Sequence, residues 1–91
     1  MNSSEKRLFN LVDEYARTRH SCFLAEMFLN SENSQYVLCF RPAAVSAASA
    51  DRYTCKYLRI DAEIATAAGK AAALIPSVTR MLDNALRAIS G

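Results

Sequence analysis

Two residues with chemically reactive side chains, His20 and Cys22, stand two positions apart. On a strand this spacing puts both side chains on one face, where an imidazole could serve as the base for a thiol nucleophile. The nearby Arg17 and Arg19 would favour the thiolate. No glycine-rich turn or clear oxyanion-hole donor accompanies the pair, however, so the sequence favours a histidine at a helix end beside a core cysteine. We therefore expect no catalytic residue and no enzymatic activity.

Zinc is the second chemistry that these residue types allow. The number and softness of the ligands that zinc prefers are matched by four residues: His20, Cys22, Cys39 and Cys55. Structural zinc sites usually draw their ligands in close pairs from tight turns, and that spacing is missing here. Cys39 and Cys55 each lie within an apolar strand pattern, where a free cysteine behaves as a small hydrophobe. We expect no bound metal and no cofactor.

The segment from Ala68 to Ala71 reads Ala-Gly-Lys-Ala and resembles a fragment of a phosphate-binding loop. The first glycine of that loop is missing, and neither serine nor threonine follows Lys70. The segment therefore predicts an ordinary helix that tolerates Gly69.

The local basic cluster consists of Arg52, Lys56 and Arg59, with Tyr53 and Tyr57 between them and no acidic residue in that stretch. Basic residues with interleaved aromatic rings can bind phosphates and stack on bases. The same residue types, tyrosine and arginine above all, also anchor protein interfaces. The other candidate anchors for a protein partner are Phe28 and Tyr36.

Length and composition indicate one domain spanning residues 1–91, with 52% apolar and 22% charged residues. The formal net charge of +2 is too small to imply nucleic acid or an acidic membrane surface. An odd count of three cysteines and a polar beginning argue against a secreted disulfide framework. We expect a cytoplasmic protein, or one that acts inside a host cell, with no contact to a membrane.

The first predicted element is an amphipathic helix from about Ser3 to Arg19. Apolar residues recur at helical spacing between Leu8 and Tyr15. Asn2 followed by Glu5 resembles a capping box, with the two intervening serines as alternative caps.

The middle third of the chain predicts strands. Gln35 to Arg41 is dense in aromatic and β-branched residues, and five turn-forming residues precede it. Cys22 to Leu29 either pairs with it as a hairpin, which we favour, or extends the first helix. Pro42 to Ala50 predicts a flexible connection or a short helix. Arg52 to Ile60 alternates and predicts a half-buried strand.

In that third strand the alternation suggests which side chains point inward. Tyr53, Cys55 and Tyr57 are predicted to face the core, whereas Arg52, Thr54 and Lys56 would form a basic outer face. Leu58 and Ile60 break the pattern near its end.

The last third predicts helices. Asp61 to Leu74 is alanine-rich, and Asp61 and Glu63 suit a capped helix start. Pro76 ends or kinks this helix, and an apolar stripe from Val78 to Ile89 follows.

The resulting order is α-β-β-β-α(α), a two-layer α+β fold with helices on one face of an antiparallel three-stranded sheet. The alternative is an all-α bundle. The element order is similar to that of the double-stranded-RNA-binding domain, which reads phosphates with a lysine-rich start to its last helix. Here the corresponding helix starts with Asp61 and Glu63, so the resemblance is one of element order alone.

These patterns favour a small protein-binding module: a regulator, inhibitor or adaptor that occludes a partner's surface. The alternative is nucleic-acid binding through Arg52, Lys56 and Arg59, joined by Arg41 and Lys70. The apolar stripe of the last helix predicts either a core helix or a helix that docks on a partner. A homodimer through the C-terminal helical region is a further prediction, because Ala65, Ala68 and Ala72 would permit close approach.

Overall fold

A computed structural model describes residues 2–43 and 56–90. Its elements follow the order α-β-β-β-α-α, so the predicted α+β fold is confirmed and the all-α alternative is wrong. The predictions made for Ala44–Ala50 and Arg52–Cys55 lie outside the described residues. The elements are α1 (Ser3–His20), β1 (Cys22–Asn30), β2 (Gln35–Pro42), β3 (Lys56–Asp61), α2 (Ala62–Lys70) and α3 (Pro76–Ser90).

The two ends of α1 explain how the chain enters the sheet. At the start, Asn2 Oδ1 accepts a hydrogen bond of 2.8 Å from the Glu5 backbone N–H, which confirms the predicted cap. At the end, Ser21 adopts the left-handed conformation with a φ of 52°, and its N–H donates to the Ala16 carbonyl. This reversal stops the helix, so the segment that begins at Cys22 forms β1 instead of extending α1.

The sheet has the order β1-β2-β3, and both neighbouring pairs are antiparallel. β1 and β2 form the predicted hairpin. Phe40 pairs with Leu24 on one side, and Leu38 pairs with Leu58 on the other. Because paired residues share a face, these four side chains point to the same side of the sheet.

The edge strand β1 is irregular near its start. Its register shifts between Leu24 and Glu26, so Ala25 forms a bulge. Beside it, the Leu24 N–H points away from β2 and donates a hydrogen bond of 2.9 Å to Asp13 Oδ1 in α1. A helix side chain therefore occupies a donor that an edge strand would otherwise present to solvent.

All three helices pack on one side of the sheet and form one core with it. Val78, Leu82 and Leu86 are fully buried there, so the apolar stripe of α3 belongs to the core of its own chain. The other buried members of this core are Leu8, Val12, Ala16, Cys22, Leu24, Tyr36, Leu38, Phe40, Ile60, Ala65 and Ala68.

Helices α1 and α2 approach each other closely at Gly69. A Cβ atom at this position would lie 2.5 Å from the Ser4 backbone oxygen. Gly69 therefore has a packing role, because a residue without a Cβ atom allows the backbones of α1 and α2 to approach this closely.

The start and end of α2 differ from the prediction. The helix ends at Lys70 instead of Leu74, and α3 begins directly at Pro76, where the missing N–H of proline costs nothing. Asp61 does not cap α2 with its side chain. Its carboxylate instead accepts a hydrogen bond of 3.2 Å from the Gln35 amide, which joins the ends of β2 and β3.

The predicted facing of β3 is wrong. Leu58 and Ile60 point toward the helices, and Tyr57 lies on the opposite side with 50% of its surface exposed. Lys56 pairs with Phe40 and so shares the helix side. The reason is that Leu58 and Ile60 are more apolar than tyrosine and face α3, so their burial decides the phase of the strand.

Candidate functional site

The helices leave one side of the sheet uncovered in the part of the chain that the structure describes. We call this side the outer face. Strand pairing arranges its side chains in rows, with Phe23 beside Arg41 in the first. The outer face comprises Phe23, Glu26, Phe28, Asn30, Gln35, Val37, Cys39, Arg41, Tyr57, Arg59 and Asp61.

An apolar band crosses the middle of the outer face. Val37 and Cys39 of the central strand are only 5% and 6% exposed, yet neither belongs to the core on the helix side. Phe28 stands next to Val37 on β1, and Tyr57 stands next to Cys39 on β3. These two flanking rings are 46% and 50% exposed.

One end of the outer face carries a pair of arginines on a single ring. The Arg41 guanidinium carbon lies 4.4 Å from the centroid of Phe23, and that of Arg17 lies 5.4 Å from it. Arg17 is also tied to Asp13 by a hydrogen bond of 3.0 Å. Both guanidinium groups are within the range of cation–π attraction. The buried Arg41 Nε, in contrast, has no hydrogen-bond acceptor among the residues that the structure describes.

The predicted basic cluster does not come together on one surface. Arg59 is exposed on the outer face, next to Val37, whereas Lys56 lies on the helix side. Arg52 and Tyr53 lie outside the described residues. Of the residues proposed to grip phosphates, the outer face therefore gathers Arg41 and Arg59.

Tyr36 cannot serve as a surface anchor, which corrects its nomination from sequence. It is 8% exposed and belongs to the helix-side core. Burial, the negative charge of Glu5 and a hydrogen bond with Glu5 raise the pKa of Tyr36. The phenol forms part of the wall of a cleft of about 210 Å³ between α1 and α2. Its role is to close the core below that cleft.

The structure does not form the nucleophile–base pair that His20 and Cys22 suggest. The Cys22 thiol is fully buried, and burial raises its pKa. Its Sγ donates to the backbone carbonyl of His20 at 3.2 Å, and the imidazole Nε2 lies 2.8 Å from Asp83 Oδ1 instead. Tyr15 donates its hydroxyl to the same oxygen at 2.8 Å. The three polar side chains thus join α1 to α3.

We expect this junction to give the protein an acid-sensitive component of stability. Hydrogen bonds from His20 and then from Tyr15 hold the pKa of Asp83 below its usual value. A carboxyl with a lowered folded pKa stabilises the fold above its unfolded pKa, and this stabilisation is lost as pH falls through the folded value. Asp83→Asn should cost about 1 kcal/mol or less near pH 7, because the site is partly exposed.

Urea unfolding at several pH values checks this expectation. The gap between the wild type and Asp83→Asn should be largest above about pH 5 and should close below about pH 4. Tyr15→Phe removes one hydrogen-bond donor and keeps the Asp83 carboxylate. The stability of this variant should therefore keep part of the acid sensitivity of the wild type. A gap that stays constant from pH 7 to pH 3 would contradict the assignment.

The geometry also separates the residues considered for zinc. Cys22 points to the helix side of the sheet and Cys39 to the outer face, so the two sulfurs cannot share one ion. Cys55 lies outside the described residues. Within residues 2–43 and 56–90, no group of three or more histidine, cysteine or acidic side chains could hold a metal ion.

Sequence reasoning found Phe28, Tyr57 and Arg59 but missed the contribution of Phe23 and Val37 to the outer face. β2 is apolar on both sides, as the run from Tyr36 to Phe40 already shows. A strand of this kind is typical of a position covered on both faces. That signal could have pointed to a second apolar surface.

No helix within the described ranges is both long enough and apolar enough to cross a lipid bilayer. In comparisons with known proteins, no protein-family model, no curated protein and no solved structure matches this chain.

Proposed function

We propose that the protein is a small binding module that acts in the cytoplasm, or inside a host cell, by covering a surface of another protein. The observation that carries this proposal is the position of Phe28 and Tyr57. Both rings are about half exposed, and both flank the apolar band on the side of the sheet that the three helices leave open.

Burial of the Phe28 and Tyr57 rings against a partner would contribute favourably to the free energy of binding. Large aromatic side chains next to a packed apolar centre supply much of the affinity of protein interfaces, because they lose water without losing much conformational freedom. Arg59 stands beside them and can add a directional polar contact at the rim. On the helix side, the apolar stripe of α3 is used within the chain, because Val78, Leu82 and Leu86 are buried in the core.

A homodimer through the C-terminal helix stays a prediction, with a changed contact surface. Val78, Leu82 and Leu86 are buried in the chain's own core, as are Ala65 and Ala68 of α2. Such a dimer would have to use the exposed side chains of α3 instead, which include Arg80, Asn84 and Arg87.

Photo-crosslinking in the native cell tests the proposed function. A benzophenone amino acid at position 28 should yield a discrete adduct with another protein. The same group at Arg80, on the exposed side of α3, should yield no adduct except with a second copy of this chain. With the crosslinked protein purified, Phe28→Ala should weaken binding at least tenfold, the loss of about 1.4 kcal/mol or more that is expected of an anchor.

Leu29 provides a matched control. It is adjacent to Phe28 and equally exposed, at 49%, but its side chain lies on the other side of the sheet. Leu29→Ala should change the affinity less than threefold. Equal losses for the two variants, or adducts with another protein from position 80 alone, would refute the proposal. Adducts that disappear after nuclease treatment would favour nucleic-acid binding instead.

A further inference from the structure

The two arginines of the outer face, Arg41 and Arg59, form no ion pair within residues 2–43 and 56–90. Among the described residues, the two ion pairs are Arg17 with Asp13 and His20 with Asp83, so neither Arg41 nor Arg59 takes part in one. Glu26 and Asp61 are the acidic residues on this side of the sheet. Asp61 binds the Gln35 amide at the far end of the sheet. In the part of the chain that the structure describes, the two arginines are therefore without a carboxylate partner.

The position of the Arg41 guanidinium group is restricted by a contact within the chain. Its guanidinium group is stacked on Phe23, which restricts the side chain before any partner arrives. Stacking uses the face of the guanidinium plane, whereas its N–H donors lie in the plane. Nε is buried and has no acceptor among the described residues, so the donors that a carboxylate of a partner could meet are those of the two terminal Nη atoms.

The distance between the two arginines determines how far apart the acidic groups of a partner should be. Arg59 pairs with Val37, four residues before Arg41 on the central strand. Four residues of strand and one step between strands put their Cα atoms about 14 Å apart. The line between them passes Cys39 and Tyr57 and leaves Glu26 on the far side.

From this geometry, and resting on the proposed function, we infer that the outer face recognises an acidic-apolar segment of the partner protein. Two carboxylates of that segment meet Arg41 and Arg59, and an apolar side chain between them packs against Tyr57 and the apolar band. In an extended segment, the two acidic residues are about four positions apart, because each residue spans about 3.3 Å.

A displayed library of random twelve-residue peptides, panned on the immobilised protein, tests this inference. Enriched peptides should carry two acidic residues about four positions apart with aromatic or aliphatic residues between them. Their affinity, measured with synthetic peptides in solution, should fall at least tenfold in the double variant Arg41→Gln, Arg59→Gln. It should also fall as the salt concentration rises.

The matched control is Arg80→Gln, Arg87→Gln, which removes the same charge from the exposed side of α3 and should leave peptide affinity unchanged. Thermal unfolding followed by circular dichroism shows whether each variant is folded. Peptides without an acidic preference that lose affinity in Phe28→Ala but not in the double arginine variant would overturn this inference and leave the proposed function standing. Peptides indifferent to both changes, or no enrichment at all, would overturn both.

Discussion

Replacing Phe40 by alanine is expected to lower the free energy of unfolding by about 3–5 kcal/mol. Phe40 is the largest of the fully buried side chains that the structure describes, and it lies in the central strand, facing the helices. Its removal takes away apolar contact area and leaves a cavity that the surrounding strands and helices cannot close. Since small domains have a total stability of about 5–15 kcal/mol, this loss would reduce the stability severely. Urea unfolding followed by circular dichroism measures the effect.

Phe28→Ala is the natural comparison, because it is the same substitution on the other side of the sheet. Phe28 is half exposed, so its truncation should cost about 1 kcal/mol or less. If Phe40→Ala does not fold, Phe40→Leu should still show a loss of about 1–2 kcal/mol. Similar losses at positions 28 and 40 would mean that the two faces are wrongly assigned.

Replacing Gly69 by alanine is expected to destabilise the protein by about 1–3 kcal/mol, the range found for overpacked sites. Helix propensity alone predicts the opposite sign, a gain of about 1 kcal/mol from replacing glycine in a helix. The close approach decides between them, because the new methyl group would lie 2.5 Å from the Ser4 backbone oxygen. A backbone oxygen within α1 cannot move aside without displacing the helix. Thermal and urea unfolding of the variant give the sign directly.

Ala67→Gly is a matched control for this prediction. Ala67 is exposed on the same helix, so the exchange should cost about 1 kcal/mol through propensity alone. A Gly69→Ala variant that is more stable than the wild type would show that α1 and α2 are not in close contact at this point.

Local signals were sufficient to predict much of the fold. The Asn2 cap and the turn-forming residues before Gln35 mark element boundaries through their own backbone chemistry, and the structure confirms both. The end of α2 could not be predicted from Pro76 alone, because proline also fits the first turn of the next helix, where it is found. The fold class was therefore easier to predict from the sequence than the exact ends of the helices and strands.

The outer face was harder to predict from the sequence, because it depends on pairing between distant residues. The phase of β3 followed from the burial of Leu58 and Ile60, which the tyrosines earlier in the segment obscured. The contact between Arg41 and Phe23 requires the β1–β2 register, and the bulge at Ala25 shifts that register within the strand. No periodicity within a single segment reports such a contact.

The bulge at Ala25 also limits how copies of this protein can meet. A flat outermost strand invites another molecule to continue the sheet, which is a common route to aggregation. Here the bulge and the hydrogen bond from the Leu24 amide to the Asp13 carboxylate interrupt the edge of β1. A strand of another molecule would not find regular backbone partners over that half of β1. Along β1, sheet extension is thereby confined to the stretch from Met27 to Asn30, which is too short to hold two chains together by backbone hydrogen bonds alone.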